Sequence, residues 1–241
     1  MGRPKPSSGS SSPRTTSIRT ATPHVIGADE HPAEPTRPSH SVEIELKFDV
    51  DDDTALPDWS GLPGVSSVGA AEPRALDAVY LDSDDLALAH AGYAVRRRTG
   101  GPDEGWHIKG PRDAEGGRVE LHWPLGTDDT IPDAVADALA AVAVTSHLAP
   151  IAHIRNQRTA YALCDAQGGV VAEFVDDHVI ATDERGGVER TWREWELELG
   201  PAAPGSADDR AALFAAAAQA VHAVGGREAA SDSKLARTLG A

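Results

Sequence analysis

The chain has 241 residues and a formal net charge of −16 at pH 7. Residues 1–40 carry five Lys/Arg against three Asp/Glu, so −18 falls on residues 41–241, which makes a poor general binder of nucleic acid because phosphate contacts need positive surface; a polyanion would need a local basic site or metal ions. The single cysteine, Cys164, excludes an intrachain disulfide and a cysteine metal cluster, and no run is apolar enough to span a membrane.

Residues 1–40 are rich in Ser, Thr and Pro, with only isolated apolar residues such as Val25 and Ile26. Such a segment cannot bury enough surface to offset its ordering entropy. It is expected to be a disordered tail on a cytoplasmic protein, with one folded domain over 41–241. The first strand is expected at 41–50, and a short helical stretch at 53–60 follows the acidic run Asp49 to Asp53. Strands are expected at 75–82, 93–99, 105–109 and 118–124, with Ser83-Asp84-Asp85 capping a helical turn through His90. Residues 133–144 have helical spacing. Strands at 151–164, 170–181 and 192–199 follow, with Gly168-Gly169 between the first two. An Ala-rich helix is expected at 207–224, ending at Gly225-Gly226, and a short helix at 232–239.

Val42 to Phe48 alternates apolar and charged residues strictly: Val42, Ile44, Leu46 and Phe48 share one face, and Glu43, Glu45 and Lys47 the other. The later strands repeat this. Arg96 and Arg98 share a face; Glu120 opposes Leu121; Glu194, Glu196 and Glu198 oppose Trp195, Leu197 and Leu199. The polar faces are almost purely ionic, and their sign varies between strands. A sheet closed on itself, with charges inside and helices over its apolar outside, satisfies that pattern. The lining candidates are Glu43, Glu45, Glu120, Glu173, Asp177, Glu196 and Glu198, against Lys47, Arg96, Arg98, Lys109, Arg118, Arg158 and Lys234. Segregated by sign, the basic side would grip a polyphosphate and the acidic side would hold hard divalent cations through oxygen ligands.

These residues carry a family resemblance. Glu43-Ile44-Glu45-Leu46-Lys47 resembles the ExExK signature of the CYTH domain, or triphosphate tunnel metalloenzymes. Tyr80-Leu81-Asp82-Ser83, Gly92 to Arg98 and Trp106-His107-Ile108-Lys109 resemble the following motifs in order. Arg118-Val119-Glu120, Glu173 to Asp177, Glu196-Leu197-Glu198 and Ser233-Lys234-Leu235 continue the match to the C-terminal helix.

The resemblance implies an α+β, mainly β fold: a closed eight-stranded antiparallel barrel with charged interior and flanking helices. It implies a small-molecule triphosphate partner, two Mg²⁺ or Mn²⁺ ions, and no nucleic acid or membrane. The reaction expected is hydrolysis of inorganic triphosphate or a small organic triphosphate such as thiamine triphosphate. The alternatives are an adenylate cyclase and a non-catalytic triphosphate- or polyphosphate-binding module. Glu43, Glu45, Glu196 and Glu198 are the main expected metal ligands, with Glu120 and Asp177 as additions. Lys47, Arg96, Arg98, Lys109, Arg118, Arg158 and Lys234 would hold the phosphates, and Glu43, Glu45 and Lys47 form the expected catalytic core. One departure stands out. Some relatives pair a lysine with a tyrosine; Tyr80 matches the tyrosine, but Asn156 stands at the lysine position.

Overall fold

The computed structural model describes residues 1–2, 37–114 and 117–240. The expected disordered tail falls almost wholly on 3–36, outside the described residues. Eleven strands are assigned among the described residues: β1 (Ser39–Glu43), β2 (Glu45–Val50), β3 (Ser67–Val68), β4 (Glu72–Asp82), β5 (Ala94–Thr99), β6 (Gly105–Arg112), β7 (Arg118–Trp123), β8 (Ala149–Cys164), β9 (Val170–Asp183), β10 (Val188–Leu199) and β11 (Arg227–Glu228). Four helices join them: α1 (Ala87–His90), α2 (Asp133–Leu139), α3 (Ala207–Ala223) and α4 (Lys234–Leu239).

The strands form one sheet in the order β1-β7-β6-β5-β4-β8-β9-β10-β2-β11, with β3 paired to β8. Every pairing is antiparallel. The mainly β, antiparallel sheet with flanking helices matches the expectation, while the hydrogen-bonded path is open, so closure into an eight-stranded barrel is not shown. Its two ends are β1, paired to β7, and the β2–β11 pair, with β2 on β10. The first expected strand is split at Ile44, where the chain changes partner. The Ile44 carbonyl accepts from Leu199 N at 3.0 Å, so one chain segment carries both ends of the ladder without a ladder closing between them.

The apolar faces turn outward and are covered in two places. Against β2, β9 and β10, α3 buries Leu213, Ala217 and Val221, one stripe at helical spacing, over Phe48, Phe174, Trp195 and Leu197. Ser206 caps this helix by accepting from Asp209 N at 3.1 Å. Against β5, β6 and β7, α2 buries Val135 and Leu139 over Val95, Trp106, Ile108 and Trp123. Each Val, Leu, Ile or Phe among them contributes about 1.5–3 kcal/mol when fully buried. A third cluster lies on the opposite face, where Leu235 of α4 packs on Ala78, Tyr80, Ile154, Val179 and Ala181. Gly100, at φ 77°, passes against the Ala75 carbonyl where any Cβ would collide.

Two expected helices differ. Residues 53–60 form no helix and are irregular apart from turn residues Asp53 and Ser60, because the Arg193 guanidinium collects the carbonyls of Asp51, Asp52 and Thr54 at 3.1, 3.0 and 2.8 Å. The helix expected over 133–144 stops at Leu139, whose carbonyl accepts from both Val142 N and Ala143 N in a closing turn. No helix among the described residues is long and apolar enough to cross a membrane.

Candidate functional site

The inner face of the sheet encloses a cavity of about 640 Å³. Of the thirteen expected site residues, eleven line it: Glu43, Glu45 and Lys47 from β1 and β2, Arg96 and Arg98 from β5, Lys109, Arg118 and Arg158 from β6, β7 and β8, Glu196 and Glu198 from β10, and Lys234 from α4. Period-two alternation brings ten of them together, since each occupies the inward parity of its strand, and α4 supplies Lys234. Glu120 and Asp177 do not line the cavity. Both are buried behind its wall, where they brace cations that do.

The bracing is explicit. Arg158 makes a two-pronged contact with Asp177, Nε to Oδ1 at 2.8 Å and Nη2 to Oδ2 at 2.7 Å, and reaches Glu196 at 2.8 Å. Glu120 accepts from His107 Nδ1 at 2.9 Å and lies 3.5 Å from Arg96. Burial, then Arg96 and Arg98, push the His107 imidazole down to about 2, so it stays neutral. Arg96 Nη1 donates to the Tyr80 hydroxyl at 3.1 Å. Arg98 is bound by the Asp103 side chain. The Nε atoms of Arg96 and Arg98 are nonetheless buried without an acceptor. Arg118 donates to two backbone carbonyls, of Gly110 and Gly92. The cationic wall therefore holds more donors than its protein partners use.

The acidic wall has the complementary excess. Lys109 donates to Glu43 at 2.5 Å, and Lys47 donates to Glu45 at 2.8 Å and also pairs with Glu196. Glu198 has no ion-pair partner among the described residues, although it is the direct cross-strand neighbour of Glu45. Like charges in that position repel. Burial first, then the carboxylates of Glu43, Glu45 and Glu196, push Glu198 up to about 7. Burial likewise raises Glu43 despite Lys109. Glu196 goes the other way: burial alone would raise it, but Lys234, Lys47 and Arg158 hold it well below the usual carboxylate range.

A second carboxylate cluster lies deeper. Ligand atoms of Asp177, Glu194 and Glu196 lie within 4.8 Å of one another. The Lys234 ammonium sits at their convergence, 2.8 Å from Asp177, 2.5 Å from Glu194 and 2.8 Å from Glu196. That trio already holds a cation of the protein's own. Glu43, Glu45 and Glu198 line the cavity as hard oxygen donors of the kind a divalent cation takes, with Lys109 on Glu43, Lys47 on Glu45 and Glu198 unpaired, but among the described residues only the Asp177–Glu194–Glu196 trio has ligand atoms within 4.8 Å of one another. Glu194, which pairs with Lys234 and accepts from Trp192 Nε1, was not among the expected site residues, although it shares the parity of Glu196 and Glu198. Arg74, which forks onto Glu173 at 3.0 Å through both Nη atoms, was also missed and accounts for Glu173.

Residues 41–238 match the CYTH domain model. Two uncharacterized proteins of Mycobacterium tuberculosis, from strains CDC 1551 and H37Rv, are 36% identical over 221 residues, which is 87% of this chain and 42% of theirs. The chain thus spans less than half the length of these curated relatives. Among solved structures, a candidate adenylate cyclase of Bacillus halodurans superposes with a TM-score of 0.55 at 18% identity, over 82% of this chain and 97% of that one. A candidate adenylyl cyclase of Hippeastrum with a dominant triphosphatase activity gives a TM-score of 0.49 at 16% identity, over 83% of this chain and 95% of that one.

Proposed function

The chain belongs to the CYTH domain family, and on that premise we propose that it is a divalent-metal-dependent hydrolase of triphosphate compounds. The observation that carries the reading is an unmatched excess of both signs in one cavity. Arginines with buried N–H groups that lack acceptors line the same cavity as carboxylates with too few cations. A triphosphate bridged to those carboxylates by a divalent ion answers both excesses.

Glu43, Glu45 and Glu198 would hold the ion, with Glu196 adjoining them. When bound, the ion would polarise phosphate oxygens and supply an activated water. Arg96, Arg98, Lys109, Arg118 and Arg158 would hold the phosphate chain and stabilise the charge on its equatorial oxygens in a loose phosphoryl-transfer transition state. Water would add to the terminal phosphorus and the bridging P–O bond would break, releasing orthophosphate and the shortened phosphate compound. Lys47, bonded to both Glu45 and Glu196, would orient the carboxylates. Glu120 and Asp177 would act from behind by fixing Arg96 and Arg158. Lys234 lines the cavity, but its ammonium is surrounded by three carboxylates, so it would position the acidic wall and α4.

The test incubates the protein with Mg²⁺ or Mn²⁺ and, separately, tripolyphosphate, thiamine triphosphate and ATP, following orthophosphate and cyclic AMP. Metal-dependent orthophosphate release supports the hydrolase. Cyclic AMP as the main product of ATP would replace it with a cyclase, and tight binding without turnover would make the chain a binding module.

A further inference from the structure

The cavity is not ionic throughout. One side is an apolar wall made by Ala78, Ile154, Leu86, Ala94, Leu235 and Leu239, all members of the cluster beneath α4 and all facing the cavity. On β8 the inward positions run Ile154, Asn156, Arg158, which places Asn156 where the apolar wall meets the phosphate-gripping wall. Its register partners are Leu76 on β4 and Val179 on β9, neither of which offers a side-chain hydrogen bond. Asn156 is only 4% exposed, and its Oδ1 is buried with no hydrogen-bond partner. A buried amide oxygen left unpaired is costly. A half-turn about the Cβ–Cγ bond exchanges the oxygen and nitrogen of the amide, so the acceptor can be delivered to the cavity without moving the strand.

Volume points the same way. Pockets of roughly 300–1,000 Å³ enclose whole drug-sized organic molecules, and this one is about 640 Å³. Three phosphates alone would leave the apolar wall facing water.

We propose that the substrate is an organic triphosphate whose apolar head lies against the Ala78–Ile154–Leu235 wall, and that Asn156 selects it by accepting a hydrogen bond from an N–H or O–H on that head. This rests on the triphosphate reading above and narrows it to a substrate class.

The test measures kcat and KM with Mg²⁺ or Mn²⁺ for tripolyphosphate, thiamine triphosphate, ATP and purine riboside 5′-triphosphate, which is ATP without its amino group. At least one amino-bearing substrate is expected to exceed tripolyphosphate in kcat/KM by tenfold or more. The variant Asn156→Leu should reduce that organic-to-inorganic ratio roughly tenfold, mainly through KM, and should erase any preference for ATP over its deamino analogue. Asn156→Asp keeps an acceptor and should retain more of the ratio than Asn156→Leu; it also serves if the leucine variant does not fold. The inference is overturned if tripolyphosphate is the best substrate, or if both variants lower all four substrates equally, which would make Asn156 a phosphate contact. Failure of all four to bind by calorimetry would instead remove the triphosphate reading itself.

Discussion

The Lys234 ammonium lies 2.8 Å from the Glu196 carboxylate and so fastens the first residue of α4 to the middle of β10. The same ammonium reaches Asp177 and Glu194. Burial alone would lower the lysine, but Asp177, Glu194 and Glu196 raise it well above its ordinary value, so it stays charged. Arg237, one turn later, pairs with Asp49 and lies over the Trp192 ring at 4.8 Å. α4 is thus tied to the sheet by charge as well as by Leu235.

Removing the ammonium should be strongly destabilising. Lys234→Met leaves three buried carboxylates around an apolar chain, and breaking such a cluster costs about 3–5 kcal/mol. Denaturant unfolding should show that loss. A variant within 1 kcal/mol of the wild type, by the same order-of-magnitude scale, would contradict the tether.

Glu198 makes the metal-free protein less stable at high pH. Its folded-state value, about 7, lies above the ordinary 4.5. Between those values the folded protein binds the proton more tightly than the unfolded chain, so stability falls as pH rises and the penalty is complete above about 7. The shift corresponds to a penalty on the order of 3 kcal/mol. With chelator present, Glu198→Gln should therefore melt higher than wild type at pH 8, and the gap should shrink toward zero by pH 5. An equal gap at both pH values would refute this account of Glu198.

Arg96 should matter through its fork and not only its charge. Its buried Nε has no acceptor while Nη1 is bonded to Tyr80. Arg96→Lys keeps the charge but loses the planar donor set. Its KM for the best triphosphate should rise roughly tenfold, with kcat falling less. A change of less than twofold in kcat/KM would show that Arg96 does not touch the phosphates.

Much of this site was legible in the chain because strand alternation converts sequence parity directly into inside and outside. Glu43, Glu45 and Lys47, then Arg96 and Arg98, then Glu196 and Glu198 needed only that rule. The layout under α2 and α3 followed from Trp106, Trp123, Trp195 and Leu197 occupying the other parity. What parity cannot reveal is which inward groups pair. Lys234 meets Asp177, 57 positions earlier in the chain, and only the folded register makes that contact. For the same reason Glu120 and Asp177 had the expected parity but lie behind the wall, each covered by the cation it braces. The break at Ile44 was hidden because the alternation runs through it without interruption, while the hydrogen-bond partners change from β7 to β10. The false helix at 53–60 reflects a tertiary override: Arg193, distant in sequence, takes the carbonyls that a helix would have used.

The most direct test of the central claim compares metal-dependent orthophosphate release by the wild type with that of Glu43→Ala/Glu45→Ala, alongside calorimetric Mn²⁺ titration and a thermal melt of each protein. The wild type is expected to release orthophosphate only with Mg²⁺ or Mn²⁺. The double variant, still folded by its melt, should lose a hundredfold or more of that rate together with Mn²⁺ binding. A folded double variant that keeps full metal-dependent hydrolysis would contradict it.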